Sequence, residues 1–384
     1  MSVVGARPNF MKIGPFAKAI DRHNQKVGSG AGRLLEHFLV HTGQHYDESM
    51  SSSFFDVLGI PEPNVNLEVG SGTHAEQVGR TMIAFERVVR DWRPDWVVVV
   101  GDVNATCACS ITAKKENLKL AHIESGLRSF DWTMPEEINR LVTDRLADLH
   151  FTPDRFADAN LTNEGVASDK IHCVGNIMID SFVEHTDRAK RIDLNDLLQR
   201  NQLEEARRTT SLSDGDFAVL TMHRPSNVDA AETLGPLVDY LVTSFSKETP
   251  LVWALHPRTL GRLREFGLWE QVKEAPGIHL INPVGYLDML RLNLGAKLVL
   301  TDSGGIQEEC CVTGTPCITL RENTERPITL AENGGVSYLA GNDVGVIRRL
   351  CDELLDAPRL PLQLPLWDGC TADRIVTVLG SLTD

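Results

Sequence analysis

Positive charge is scarce in this chain. Lys and Arg number 38 against 53 Asp and Glu, a formal net charge of −15. Phosphate backbones are bound by clustered cations, so nucleic acid is excluded as the expected partner, although a few basic side chains could still face one small anion. No apolar run reaches the length of a membrane span, and no charged-then-apolar segment opens the sequence, so no membrane association and a cytoplasmic location are expected. The eight cysteines include no CxxC pair. Most lie in apolar stretches, which predicts buried reduced thiols and no metal site. Tandem repeats and low-complexity segments are also lacking. What remains is 384 residues with 42% hydrophobic and 24% charged content, the balance of a globular protein with more than one core.

The most informative stretch is residues 296–309, AKLVLTDSGGIQEE. The apolar run to Thr301 reads as a short buried strand. Asp302-Ser303-Gly304-Gly305 reads as a turn opening a helix that Gly314 and Pro316 close. Such a helix directs free backbone N–H groups and the positive end of its dipole above the strand, a site suited to phosphate. The glycines permit close approach, Ser303 offers a hydroxyl, and Glu309, on the same helical face as Gly305, suits ribose hydroxyls. An ordinary strand-to-helix turn of small residues has the same local sequence.

Other strand ends are also polar. The opening strand fragment runs into Gly5, and a helix follows to about His23, with Arg7 and Lys12 near the edge of the sheet. His37–His41 reads as a strand ending in TGQH (42–45). Residues 48–58 and His74–Trp92 read as helices, the latter from Val78, Met82, Phe85 and Val89 at spacings of three and four. Trp96–Val100 is an unbroken β-branched strand of the kind buried on both faces in parallel sheets. It stops at Gly101-Asp102. Lys119–Ile123 is a further strand and ends at Glu124. Glu136 opens a helix placed at Glu137–Leu149. Asp102 and Glu136 would serve equally as dipole-stabilising helix starts. The three acids together, beside Arg128 and Arg140, read as a site.

Gly175-Asn176 leads into a helical stretch reaching about Glu205. A second alternating series then begins at Phe217–Thr221 and ends in His223-Arg224. Strands follow at Leu251–Leu255, His279–Asn282, Cys317–Leu320 and Val336–Ala340, and Ala372–Leu382 is a closing helix. The fold class is therefore α/β, with two Rossmann-like domains expected to face each other across a cleft. The expected domains are 1–177, completed by 368–384, and 178–367, the final helix crossing back to the first.

The segments GARPNFMKIGP (5–15), TGQHYD (42–47), GDVNAT (101–106), HIESGLRS (122–129), MPEEINR (134–140), GNIMIDS (175–181), HRPSN (223–227), LTDSGGIQEE (300–309) and TERP (324–327) occur in an order that resembles the non-hydrolysing UDP-N-acetylglucosamine 2-epimerases over nearly the whole chain. The resemblance implies the GT-B-like architecture of many nucleotide-sugar enzymes, a UDP-sugar substrate and no cofactor. It implies a homodimer supplying N-acetylmannosamine units for surface polysaccharide. Asp102, Glu124 and Glu136 match the family's catalytic acids, and Arg7 and Lys12 its phosphate and substrate contacts. His223, Ser303, Gly304, Gly305, Glu309 and Arg326 match its UDP contacts, with His223 also counted in the catalytic machinery. Val284 and Met289 fall where uracil is held, and Gln44, His45 and Arg140 fall at the cleft. The implied reaction inverts C2 by eliminating UDP to a 2-acetamidoglucal and adding it back. The HRPSN segment departs from the form frequent in the family, where a Glu precedes the Asn. A relative acting on a UDP-diacetamido-uronic acid would share the other motifs, and a hydrolysing relative would release N-acetylmannosamine and UDP.

Overall fold

The computed structural model describes residues 1–5, 7–28, 33–43, 59–207, 210–359 and 361–382; of Arg7 and Pro8 only the backbone is described. The chain divides into two compact units, Met1–Ser181 with Pro365–Asp384, and Phe182–Leu364.

The first unit is built on a seven-stranded sheet: β1 (Ser2–Val4), β2 (Leu39–His41), β3 (Val65–Asn66), β4 (Trp96–Val100), β5 (Lys119–Ile123), β6 (Leu149–Thr152) and β7 (Ile171–Cys173). Their spatial order is β3-β2-β1-β4-β5-β6-β7, and every pairing is parallel. Parallel neighbours need crossovers, and helices provide them from β1 to β2 (Arg7–Val27), from β4 to β5 (Asn104–Lys115) and from β5 to β6 (Pro135–Leu146). The His74–Trp92 helix has the bounds its periodicity predicts. Thr73 caps it, accepting from the Glu76 amide while the Glu76 side chain accepts from the Thr73 amide. Val3, Val40, Val97, Val99, Phe85 and Leu120 join in one core cluster against this sheet.

The final helix, Thr371–Ser381, belongs to this first unit. Asp180 receives the Thr371 and Ala372 amides at 3.1 and 2.7 Å, and so fills the role of a cap from a distant part of the chain. Arg22 pairs with Asp373 at 2.9 Å, and Trp367 Nε1 donates to Pro153 O at 3.1 Å.

The second unit holds β8 (Ala218–Thr221), β9 (Leu251–Ala254), β10 (Ile278–Ile281), β11 (Leu298–Thr301), β12 (Cys317–Thr319) and β13 (Ser337–Leu339), in the order β10-β9-β8-β11-β12-β13, again parallel throughout. Alternation along the strands fills both faces. Leu220, Trp253, Leu300 and Ile318 enter one core cluster, while Val219, Val252, Val299 and Cys317 enter the other. In both sheets the chain starts in the middle, adds strands to one side, then returns to the other. This makes two Rossmann-like units, each with a reversal of strand order, at β1/β4 and at β8/β11.

Several elements differ from the sequence reading. The first helix runs Arg7–Val27, beyond His23. The helix after Met134 is Pro135–Leu146, and Leu149 begins β6. The stretch read as one helix to Glu205 is two, Ile177–Lys190 and Leu194–Asn201, the second restarted by Asp193 accepting from the Asn195 and Asp196 amides. Arg155–Asn163 is a helix that the sequence reading did not identify. The helix expected at residues 48–58 lies outside the described residues. No helix among the described residues is long and apolar enough to cross a membrane.

Candidate active site

In open α/β sheets ligands bind beyond the carboxyl ends of the strands, where the strand order reverses. In the first unit that place is built from the ends of β1, β4 and β5. The helix that follows β1 carries Lys12, which is buried and forms an ion pair with Glu124 at the end of β5. The other carboxylate oxygen of Glu124, Oε1, is buried and has no hydrogen-bond partner among the described residues. Glu124 has φ 67°, a left-handed conformation uncommon for a residue with a Cβ. Gly101, between β4 and Asp102, also has positive φ, and a Cβ there would lie 3.2 Å from Lys12 Nζ and 3.4 Å from Glu124 Oε2. The backbone thus passes this close to the ion pair because position 101 carries no side chain.

Asp102 is held by Arg140, whose Nε and Nη2 donate to Oδ2 at 3.0 and 2.7 Å. Arg140 Nη1 donates to Glu137 at 2.5 Å, and Glu137 also receives the Ser129 and Phe130 amides at 3.0 and 2.9 Å. Glu137 is therefore the buried anchor of the 128–134 loop. Glu136 is exposed in the first turn of the Pro135–Leu146 helix, and its side chain makes no hydrogen bond or ion pair among the described residues. The structure brings together Lys12 with Glu124, and Asp102 with Arg140. Among the described residues no hydrogen bond or ion pair joins the Glu136 side chain to either pair. The Arg7 side chain, Gln44 and His45 lie outside the described residues.

In the second unit the equivalent place is organised by Asp302, a fully buried carboxylate at the end of β11. Its Oδ2 accepts from the His223 and Arg224 amides, each at 2.7 Å, and from Asn227 Nδ2 at 2.9 Å. His223 Nδ1 lies 3.0 Å from Asp302 Oδ1, which places the half-exposed ring beside the buried carboxylate. Burial works against ionisation of Asp302, but His223 and the two amides outweigh it and leave the carboxyl below its usual range.

Ser303 is the N-cap of the Gly304–Thr313 helix, and its hydroxyl makes no capping bond. The first amides of a helix have no intrahelical acceptor, so Ser303-Gly304-Gly305 presents donors and a positive dipole end. Gly304 is also a packing requirement. A Cβ on it would lie 2.5 Å from Arg326 Nη1 and 3.1 Å from Glu325 Oε1. Arg326 is held there by Glu325 and by Glu308, the latter at 2.6 Å. Val284 and Met289 flank the start of the Tyr286–Gly295 helix and pack, with Ile306, against one core cluster.

Glu309 is buried and accepts from Asn293 Nδ2 at 2.8 Å. Burial, only partly offset by Asn293, pushes its carboxyl up to about 7. The folded protein therefore keeps a proton on Glu309 that an unfolded chain releases near pH ~4.3. Folding stability from this group must fall as pH rises from that value through about 7. We expect Glu309→Gln to match the parent protein near pH 4 and to exceed it by up to about 3 kcal/mol near pH 8, read by urea unfolding at the two pH values. Equal stability differences at both pH values would contradict this.

Among the described residues no group of three or more His, Cys, Asp or Glu is placed to hold a metal ion. Six cysteines are buried and two, Cys173 and Cys370, are exposed.

The family described as UDP-N-acetylglucosamine 2-epimerase matches residues 31–380. A UDP-N-acetylglucosamine 2-epimerase of Methanocaldococcus jannaschii is 38% identical over 98% of this chain and 97% of its own. A UDP-2,3-diacetamido-2,3-dideoxy-D-glucuronate 2-epimerase of Pseudomonas aeruginosa is 39% identical over 85% of this chain and 84% of its own. The crystal structure of the M. jannaschii UDP-GlcNAc 2-epimerase in complex with UDP-GlcNAc and UDP superposes with a TM-score of 0.85, at 37% identity and 98% coverage of both chains. With its two all-parallel sheets and acids at the strand ends, this chain belongs to the UDP-N-acetylglucosamine 2-epimerase family.

Proposed function

We propose that this protein interconverts UDP-N-acetylglucosamine and UDP-N-acetylmannosamine by inverting C2, without net hydrolysis. In this reading the second unit supplies the diphosphate grip through the Ser303–Gly305 amides, Arg326 and His223. The first unit supplies the acids. A carboxylate removes the C2 proton as the C1–O bond breaks. The C–H electron pair becomes the C1=C2 double bond of a 2-acetamidoglucal, and UDP departs with the C1–O pair. The return step adds the UDP oxygen to C1 and a proton to the opposite face of C2. Helix-terminal donors stabilise the leaving diphosphate, and a positioned carboxylate performs the proton transfer. The observation that carries the reading is Glu124, buried, with one oxygen held by Lys12 and the other free of any partner among the described residues.

Turnover in D₂O should place deuterium at C2 of the recovered UDP-sugar, seen by NMR. Active turnover without label rejects the elimination route. Accumulation of UDP and free N-acetylmannosamine identifies a hydrolysing enzyme instead. The 39% identity to the P. aeruginosa relative supports a second reading, in which the sugar is a UDP-diacetamido-uronic acid. Comparing kcat/KM for the two sugar nucleotides separates them.

A further inference from the structure

Asp144 lies on the Pro135–Leu146 helix, one turn after Arg140, and no site motif includes it. It is 2% exposed. Its Oδ1 accepts from His122 Nδ1 at 2.6 Å and from the Ser125 hydroxyl at 2.5 Å. Its Oδ2 accepts from the Gly126 amide at 3.1 Å and from Arg128 Nη1 at 2.6 Å. These donors stand on both sides of Glu124 in sequence. The far nitrogen of His122, Nε2, lies 2.8 Å from Gly101 O, the carbonyl immediately before Asp102. The His122 ring thus bridges the Asp144 carboxylate and the Gly101 carbonyl. Ser125, having donated to Asp144, receives His150 Nδ1 at 2.8 Å.

We propose that Asp144 is a positioning residue for the reaction: with Arg140 it makes the Pro135–Leu146 helix the common support on which the two strand-end acids, Asp102 and Glu124, are held. This rests on the function proposed above. Arg140 grips the Asp102 carboxylate directly. Asp144 grips the turn that carries Glu124, whose left-handed φ of 67° is a conformation that surrounding contacts must impose. The turn is closed from outside as well, since a Cβ on Gly126 would lie 2.5 Å from Ala157 O. Burial opposes ionisation of Asp144, but His122 and Arg128 outweigh it and hold the carboxyl well below its usual range, so it acts as an acceptor to all four donors at once. Apolar side chains would hold this helix to the sheet at least as well. A hub of directional bonds adds a fixed aim for the acids on either side.

The test uses the full chain carrying Asp144→Asn or, as the gentler change, Ser125→Ala. Each is checked first for a cooperative unfolding transition above the assay temperature. For a folded variant we expect kcat for C2 exchange to fall about 10–100-fold, the scale of an ångström misplacement, with KM within about 2-fold of the parent. Parental kcat in a folded variant overturns the proposal. So does a raised KM at unchanged kcat, which would mark a substrate-binding effect. If Asp144→Asn does not fold, Ser125→Ala decides between the same outcomes. Failure of the parent protein to exchange C2 with solvent would sink the proposed function itself, a result distinct from any of these.

Discussion

Glu124→Gln is expected to lower turnover by about 10²–10⁴-fold, the usual scale for losing a positioned proton-transfer group. The substitution is close to isosteric, and the amide oxygen can still accept from Lys12, so the ion pair becomes a hydrogen bond rather than an empty space. What is lost is the ability to take or return a proton at C2. UDP affinity should be unchanged, because the proposed nucleotide contacts belong to the Asp302–Gly305 turn and its neighbours. C2 deuterium exchange and calorimetric UDP binding, measured on the same preparation, check both halves. Parental exchange in Glu124→Gln removes this carboxylate from the mechanism. The same pair of measurements on Asp102→Asn and Glu136→Gln apportions the remaining acid and base roles.

Asp302→Ala should destabilise the second unit by about 3–5 kcal/mol, measured by urea unfolding. One buried carboxylate satisfies the His223 and Arg224 amides and the Asn227 side chain, and also sits against His223. Alanine leaves the three donors to Oδ2 without their acceptor where water does not replace it, and truncation of a shared acceptor costs more than any one of its bonds. The effect has a pH signature. The folded-state pKa of Asp302 is depressed, so its contribution is present above the ordinary carboxyl value of ~3.9 and is lost as pH falls through the lower folded value. The gap between parent and variant should therefore be full at pH 7 and shrink below about pH 4. A gap that persists unchanged in acid would show that cavity formation, not the charge, is responsible.

The legible parts of the sequence were those where one physical signal dominates. Trp96–Val100 could only be a doubly buried strand, and His74–Trp92 announces itself by apolar spacing. The hidden parts are those where local sequence is ambiguous. The Arg155–Asn163 helix is short, and its signal is the single cap Asp154, which accepts from the Phe156 and Ala157 amides. The boundary between the Pro135 helix and β6 passes through Ala147 and Asp148 with no glycine or proline to mark it. Among candidate site residues, motif position pointed to Asp102, Glu124, Glu136 and Ser303–Gly305 alike. It could not tell the exposed Glu136 from the buried Glu137 beside it, nor show that Asp144, an unremarkable polar residue in a helix, gathers four donors. Those distinctions depend on partners far away in sequence, which composition and periodicity do not encode.

The return of residues 365–384 to the first unit has a consequence for how the protein is made. Asp180 waits for amides at positions 371 and 372, and Arg22 for a carboxylate at 373. During translation the second unit has every one of its strands before the first unit has its last helix. Of the two units, the one begun first is thus the one completed second. Until residues 371–381 have emerged from the ribosome, the surface of the first unit that receives this helix stays uncovered by it.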